Sequence, residues 1–140
     1  FVLLQDGAAA IIVNNQGQIL LQSRADRDKW GLPGGCQELG ERFQDTIIRE
    51  VKEETNLDVN ENDLELIDIV SGAGRRNEYP NGDVVINNTA LYCIRNYSGE
   101  LKWDVESKEM RFFDLDNLPQ NQNDPDLIEV YRRTISKSRK

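Results

Sequence analysis

Two apolar segments near the start of the chain, residues 7–13 and 18–22, flank the polar stretch at residues 14–17, which reads Asn-Asn-Gln-Gly. Asn and Gly tolerate the positive φ that a tight turn requires, so this pattern predicts a β-hairpin. Residues 23–40 have no regular apolar period. They are rich in glycine and interrupted by Pro33, which predicts a loop.

A helical period begins after this loop. Phe43, Ile47 and Val51 recur at spacings of four residues, which predicts an amphipathic helix over residues 43–55. Asn56 is suited to end this helix, because asparagine accepts the left-handed conformation of a C-cap.

The second half of the chain alternates between strand-like and polar segments. The pattern predicts a polar loop at residues 71–83 and a terminal helix at residues 126–136. Strands are predicted at residues 64–70, 84–94, 100–103 and 110–115. Strands mixed with two helices indicate one α/β (α+β) domain over residues 1–140, with a partly antiparallel sheet.

The composition limits the class of protein. Of the 140 residues, 38% are hydrophobic and 30% are charged, as in soluble single-domain proteins. The longest apolar run, residues 8–13, is far below the ~20 residues of a membrane-spanning helix. The net charge of −8 argues against bulk nucleic acid and anionic membranes as partners, because basic surfaces attract these. No signal peptide is recognisable, so we expect a cytoplasmic location.

Catalysis by histidine is excluded, because the chain contains none. The two cysteines, Cys36 and Cys93, form no CxxC pair and no disulfide framework. Proton transfer in an enzyme of this composition therefore falls to carboxylates, Lys, Tyr or a metal. Cys93, Trp103 and Phe112 are predicted in the core.

Three glutamates gather at the end of the predicted helix. Glu50, Glu53 and Glu54 stand at i, i+3 and i+4, which places their side chains within an arc of roughly 100°. Their mutual repulsion and the helix dipole both disfavour this arrangement unless a positive charge compensates it. Glu54 also projects close to Ile47, at the edge of the apolar stripe. A hard divalent cation, Mg²⁺ or Mn²⁺, is the simplest compensation; ordinary solvated glutamates are the alternative.

The segment of residues 35–57 resembles the Nudix box, G-x5-E-x7-R-E-U-x-E-E-x-G-U, in which U is a bulky aliphatic residue. The matching positions are Gly35, Glu41, Arg49, Glu50, Val51, Glu53, Glu54 and Leu57. Asn56 replaces the usual glycine, a departure that touches no ligand. The stretch before the box, Trp-Gly-Leu-Pro-Gly-Gly at residues 30–35, is similar to the family's lead-in. The chain is thus identified as a member of the Nudix hydrolase family.

The resemblance implies a Nudix-like α/β/α sandwich with a mixed sheet and a loop–helix–loop catalytic box. It implies a hydrolase in which water attacks phosphorus in the pyrophosphate of a nucleoside diphosphate linked to another moiety. Nucleotides, nucleotide sugars and ADP-ribose-like compounds belong to this substrate class. The implied cofactor is Mg²⁺ or Mn²⁺, the implied partner is a small-molecule nucleotide, and the implied assembly is a homodimer. Residues 79–83 also resemble a stretch of bacterial Nudix proteins.

The resemblance also implies roles for individual residues. The implied metal ligands are Glu50, Glu53, Glu54 and the backbone carbonyl of Gly35. Arg49 would pair with the glutamates and with Glu41 and so fix their geometry. The general base is either Glu50 or a glutamate of a later loop, Glu106 or Glu109.

Substrate contacts are predicted in the loop of residues 71–83 and before the box. Arg75 and Arg76 could bind a phosphate, and Tyr79 or Trp30 could stack on a base. For each of them a solvated or packing role is the alternative. The proline that marks ADP-ribose enzymes is missing near Gly72, so the nucleotide stays open.

Two other functions compete with hydrolysis. The first is a regulatory Nudix module that binds a nucleotide without cleaving it. The complete set of glutamates with Arg49 disfavours this reading, because a sensor needs no full metal site. The second is an acidic helix surface with no metal role.

Overall fold

Two helices enclose two β-sheets in the computed structural model, which describes residues 2–24, 28–104 and 107–138. Helix α1 spans Phe43–Thr55 and helix α2 spans Pro125–Ser138. Helix α1 and its flanking loops carry the segment that resembles the Nudix box, so the packing of α1 decides where the glutamates point.

The larger sheet is mixed. Its strands are β1 (Val2–Ile12), β4 (Gly34–Cys36), β5 (Leu64–Val70), β6 (Arg76–Glu78) and β7 (Val84–Ile94). They run in the order β4-β1-β7-β5, and β6 also pairs with β7. The central pair, β1 and β7, is parallel, whereas the other pairs are antiparallel.

The smaller sheet is antiparallel. Its strands are β2 (Ile19–Arg24), β3 (Trp30–Gly31) and β8 (Ser107–Phe113), in the order β3-β2-β8. Both β3 and β4 are short and glycine-containing, and they lie in the region predicted as a loop.

The side chains of β1 alternate between two hydrophobic clusters. Ile12 belongs to the cluster that contains Ile47 of α1, and Ile11 to the cluster that contains Leu127 of α2. Successive side chains of a strand point to opposite faces, so α1 and α2 cover opposite faces of the sheet. This double coverage explains why β1 is apolar at consecutive positions. The predicted α/β/α sandwich with a mixed sheet is confirmed.

The predicted bounds of α1, β5 and β7 are confirmed, and α2 extends slightly beyond its predicted range. Asn56 ends α1 with φ 68°, the left-handed conformation that its residue type predicts. Its side-chain Nδ2 also donates a hydrogen bond to the Glu100 carbonyl at 2.9 Å. Asparagine therefore satisfies the conformational demand that glycine meets in the family pattern.

We expect Asn56→Ala to lower the free energy of unfolding by about 1–2 kcal/mol, because alanine pays the steric cost of the left-handed conformation. Asn56→Gly should stay within about 0.5 kcal/mol of the wild type, since glycine adopts this conformation without strain. Urea denaturation of the three proteins measures both values. Equal losses in the two variants would mean that the bond to Glu100, rather than the backbone conformation, makes Asn56 suitable here.

The predicted hairpin is correct only at its turn. Gly17 donates to the Asn14 carbonyl at 3.0 Å, and Val13 forms an antiparallel bridge with Ile19. Beyond the turn, however, β1 and β2 enter different sheets. The parallel partner β7 takes one side of β1, whereas β2 pairs with β3 and β8.

The predicted strand at residues 100–103 is wrong. The Lys102 amide donates to the Thr55 carbonyl at 3.0 Å, and the Glu100 carbonyl accepts from Asn56. These groups therefore bond to the end of α1 instead of a neighbouring strand. Trp103 is 42% exposed, so its predicted core position is also wrong.

Other predicted segments need smaller corrections. Cys93 is buried as predicted, and Phe112 is half-buried against the cluster under α1. The predicted loop at residues 71–83 contains β6 after one turn of 3₁₀-helix. Strand β8 begins before and ends before the range predicted from the sequence. No helix within the described ranges combines the length and the apolar character needed to cross a membrane.

Candidate active site

The last turns of α1 present Glu50, Glu53 and Glu54 to one cavity of about 520 Å³. The adjoining apolar stripe of the helix is fixed in the core, where Ile47 and Val51 are fully buried. Because burial of this stripe fixes the rotation of α1 about its axis, the three carboxylates point into the cavity. We refer to this space as the carboxylate cavity.

Glu54 is the innermost of the three. Its carboxylate accepts hydrogen bonds from Gln22 Nε2 at 2.6 Å and from the Gly34 amide at 3.1 Å. Burial raises the pKa of Glu54 to about 8, and the nearby Glu50 carboxylate adds to this rise. The bonds from Gln22 and Gly34 favour the charged form but do not outweigh burial. A positive charge beside Glu50 and Glu54 would relieve the same repulsion.

Glu50 lies directly against the backbone of Gly35. A Cβ atom at position 35 would stand 2.6 Å from the Glu50 carboxyl carbon and from Oε1, closer than real contacts allow. A side chain at this position would displace the carboxylate. Glycine thus forms part of the cradle that holds Glu50, and this explains why the box begins with this residue type.

Arg49 connects the acidic residues around α1. Its Nε and Nη2 donate to the two oxygens of Glu41 at 2.8 and 2.9 Å, a bidentate pair. Its Nη1 donates to Glu50 at 2.8 Å and to Glu53 at 3.4 Å, and Nη2 also donates to the Cys36 carbonyl at 3.1 Å. The guanidinium therefore holds the loop before α1 and the glutamates of α1 in one arrangement.

The charge of Arg49 also sets the ionisation of Glu41. The hydrogen bonds from Arg49 hold the pKa of Glu41 at about 2, and the backbone amide of Glu38 adds to this effect. The pKa of Arg49 is raised in turn, mainly by Glu41. Glu41 is thus a permanently charged partner of Arg49.

The donors of the carboxylate cavity fit a hard divalent cation. Glu50 and Glu54 offer neighbouring carboxylate oxygens, and Glu53 reaches the same cavity at its exposed side. Among the described residues, no group of three Asp, Glu or Cys side chains is arranged to hold a metal ion. Mg²⁺ needs no such group, because it binds through one or two carboxylates together with waters and substrate phosphates. Nudix hydrolases in general use divalent metals.

A second cavity of about 290 Å³ adjoins the first. Four residues line both cavities: Gln22, Arg24, Gly34 and Gly35. The second cavity lies over β1, β6 and β7, on the α2 side of the larger sheet. We call it the amide cavity, because Gln5, Asn77, Asn87 and Asn123 contribute to its wall.

The predicted substrate residues divide into two groups. Arg75 and Tyr79 line the amide cavity, whereas Arg76 is exposed on β6 outside both cavities. Trp30 packs edge-on against Phe113, with ring centroids 5.0 Å apart, and lines neither cavity. Its ring therefore has a packing partner that the sequence did not show.

The two later-loop glutamates have different outcomes. Glu109 is exposed on β8, lies 3.5 Å from Arg111 and lines neither cavity. Glu106 lies outside the described residues. Of the residues predicted to act in catalysis, the structure thus brings together Glu41, Arg49, Glu50 and Glu53.

Several residues that line the two cavities were not predicted from the sequence. Gln22 and Arg24 end β2, and their position beside the glutamates depends on pairing between distant segments. The sequence does contain a signal for Asn87, because alternation along β7 places this polar residue on the same face as the buried Leu91 and Cys93. A polar residue in register with a buried stripe marks a place where the strand leaves the core.

The sequence is also similar to those of known proteins. The family model of the NUDIX domain matches residues 3–134. An ADP-ribose pyrophosphatase of Methanocaldococcus jannaschii is 34% identical over 126 residues, which cover 87% of this chain and 70% of that protein.

Solved structures resemble the chain along nearly all of its length. A MutT NUDIX hydrolase of Burkholderia pseudomallei aligns with a TM-score of 0.74 and 26% identity, over 90% of this chain and 96% of the other. An ADP-ribose pyrophosphatase of Streptococcus suis aligns with a TM-score of 0.70 and 26% identity, over 97% and 92%. The fold, the arrangement of the box and these similarities agree: the chain belongs to the Nudix hydrolase family.

Proposed function

We propose that the protein hydrolyses the pyrophosphate linkage of a nucleoside diphosphate joined to another moiety, with Mg²⁺ or Mn²⁺ as cofactor. The observation that carries the proposal is the carboxylate cavity, in which the glutamates of α1 face a space continuous with the amide cavity. The diphosphate would lie at the residues shared by the two cavities, with one end of the substrate in each.

The residues of the chain have distinct tasks in this proposal. Glu50 and Glu54 would hold the cation, with Glu53 beside them at the exposed side of the cavity, and Arg49 would keep Glu50 and Glu53 in position. Arg24 lines both cavities and would contribute positive charge near the diphosphate. A bound divalent cation neutralises phosphate charge and lowers the pKa of water. A carboxylate would take the proton of the attacking water, and Glu50 is the predicted base that lines the carboxylate cavity.

The test is a panel of nucleoside diphosphate derivatives that differ in base and in second moiety, incubated with Mg²⁺ and analysed by ion-exchange chromatography. We expect a nucleoside monophosphate and the phosphorylated second moiety, with ¹⁸O from labelled water in one product. Excess EDTA should stop turnover, and added Mg²⁺ or Mn²⁺ should restore it. Turnover that persists in EDTA, or no cleavage across the panel, would contradict the proposal.

A nucleotide-binding module without hydrolysis is the alternative. The same panel separates the two functions if binding is measured by calorimetry on each compound. Binding without turnover would favour the module. The complete network of Arg49 with Glu41, Glu50 and Glu53 favours hydrolysis, because binding alone does not require the carboxylates to be held in this way.

A further inference from the structure

One face of the larger sheet changes from apolar to polar at the point where α2 stops covering it. On this face, Ala9 of β1 is paired with Leu91 of β7, and both are buried in the cluster under α2. Four residues earlier in each strand, Gln5 is paired with Asn87, and both line the amide cavity. Between the core and the buried Val85, this face of the sheet thus carries a polar stretch that forms the floor of the cavity.

A third amide joins this floor from β6. Asn77 is paired with Val85, which stands two residues before Asn87 and therefore on the same face of β7. Gln5, Asn77 and Asn87 thus form a patch across three adjacent strands, which we call the carboxamide patch. Within the part of the chain that the structure describes, no hydrogen bond occupies these three side-chain amides.

Unused amides at the floor of a cavity are suited to a neutral polar ligand. Each offers an N–H donor beside a carbonyl acceptor. The cavity volume of about 290 Å³ lies at the small end of the range for ligand sites, so it suits one nucleoside and leaves the second moiety outside.

The guanidinium of Arg75, which lines the same cavity, already forms hydrogen bonds within the protein. Arg75 Nη1 donates to both oxygens of Asp126 at 3.1 and 2.9 Å, and Nη2 donates to Thr89 at 3.1 Å. Its Nε is buried without a partner among the described residues. Arg75 therefore cannot present its two-nitrogen fork to the adjacent acceptors O6 and N7 of guanine, the contact that arginine makes with that base.

We propose that the carboxamide patch selects the nucleobase of the substrate and that this base is adenine. A side-chain amide pairs with the N6 donor and the N7 acceptor of adenine through two hydrogen bonds, whereas guanine and hypoxanthine present two acceptors at the same edge. Asn87 is the central residue, because it lies between β1 and β6. The inference rests on the proposed function, since it concerns the base of the same nucleoside diphosphate.

The test compares Asn87→Leu with Asn88→Leu. Leucine preserves the side-chain volume and removes the amide. Asn88 is the matched control, because it is the next residue on β7, faces the opposite side of the sheet and lines neither cavity. Its side-chain amide bonds to Asp6, which lies at the edge of the amide cavity and is not part of the carboxamide patch. Both variants and the wild type are assayed with the best diphosphate of the panel, once with adenine and once with hypoxanthine in its place.

We expect the wild type to prefer adenine by about tenfold or more in kcat/KM, which is within the range of one bidentate pair. Asn87→Leu should lower kcat/KM for the adenine substrate about tenfold and leave the hypoxanthine substrate nearly unchanged. Asn88→Leu should keep the wild-type ratio. If Asn87→Leu does not fold, Asn77→Leu on the exposed strand β6 tests the same patch.

The outcomes separate this inference from the proposed function. Absence of turnover by the wild type on every substrate would overturn the proposed function. Turnover with an adenine-to-hypoxanthine ratio near one, or with a preference for guanine or a pyrimidine, would overturn the inference alone. So would an Asn87→Leu variant that loses activity equally on both bases, since that result indicates a role in packing.

Discussion

Replacing Glu54 by glutamine is expected to lower kcat/KM at least about 100-fold, while the thermal unfolding temperature in EDTA stays unchanged or rises. The loss of activity would follow from removal of one of the two neighbouring carboxylates proposed to hold the cation, because a bound cation contributes several kcal/mol to the transition state. The retained stability follows from the local geometry. Glutamine keeps an acceptor for the Gly34 amide, and a half-turn of the Gln22 side-chain amide lets its oxygen accept from the new Nε2. The substitution also removes the repulsion between Glu54 and Glu50.

The matched control is Glu65→Gln, because Glu65 is an exposed glutamate of β5 outside both cavities. Activity is measured with the best substrate of the panel, and unfolding by calorimetry in EDTA. Glu65→Gln should leave activity at the wild-type value. Wild-type activity of Glu54→Gln would exclude this carboxylate as a ligand. A large fall in its unfolding temperature would show that the charge of Glu54 supports the fold itself.

The sequence predicted the elements whose signal is local. Helix α1 combines an apolar stripe with Asn56 at its end, so its bounds follow from residues within a few turns of each other. Strands β5 and β7 are rich in apolar and β-branched residues and are bounded by polar loops. The glutamates of α1 could be placed on one side of the helix for the same reason, because helix geometry fixes the angle between them.

Features that depend on pairing between segments far apart in the sequence were harder to predict. Strands β3 and β4 are two and three residues long. Their pairing with β2 and β1, respectively, cannot be inferred from their own residues. Residues 100–103 have the appearance of a strand but bond to the end of α1. The amide cavity draws on β1, β6 and β7, so its floor could be recognised only after the register was known.

The fold shows where the negative charge of the chain is concentrated. The net charge of −8 still argues against bulk nucleic acid as a partner. Around α1, however, the carboxylates are gathered and partly neutralised by Arg49, and a cation would complete the neutralisation. A small phosphate-bearing substrate can then approach a surface that repels long polyanions.

Replacing Arg49 by lysine is expected to lower kcat by about 10- to 100-fold, the usual effect of removing a group that orients metal ligands. Lysine keeps the charge but has one nitrogen in place of a planar fork. It cannot bond both oxygens of Glu41, Glu50 and the Cys36 carbonyl at once, as the guanidinium does. Glu50 would then be free to rotate away from the cradle at Gly35.

A positioning role for Arg49 also predicts a change in metal dependence. The Mg²⁺ concentration that gives half-maximal activity should rise about tenfold in Arg49→Lys, whereas a general loss of stability would lower activity at every metal concentration alike. Arg42→Lys is the control, because Arg42 makes a similar fork at the other end of α1, with Asp45 and Glu61 on the surface. This control should keep the wild-type metal dependence. An unchanged metal dependence in Arg49→Lys would mean that the charge of Arg49, and not the shape of its guanidinium, holds the glutamates in place.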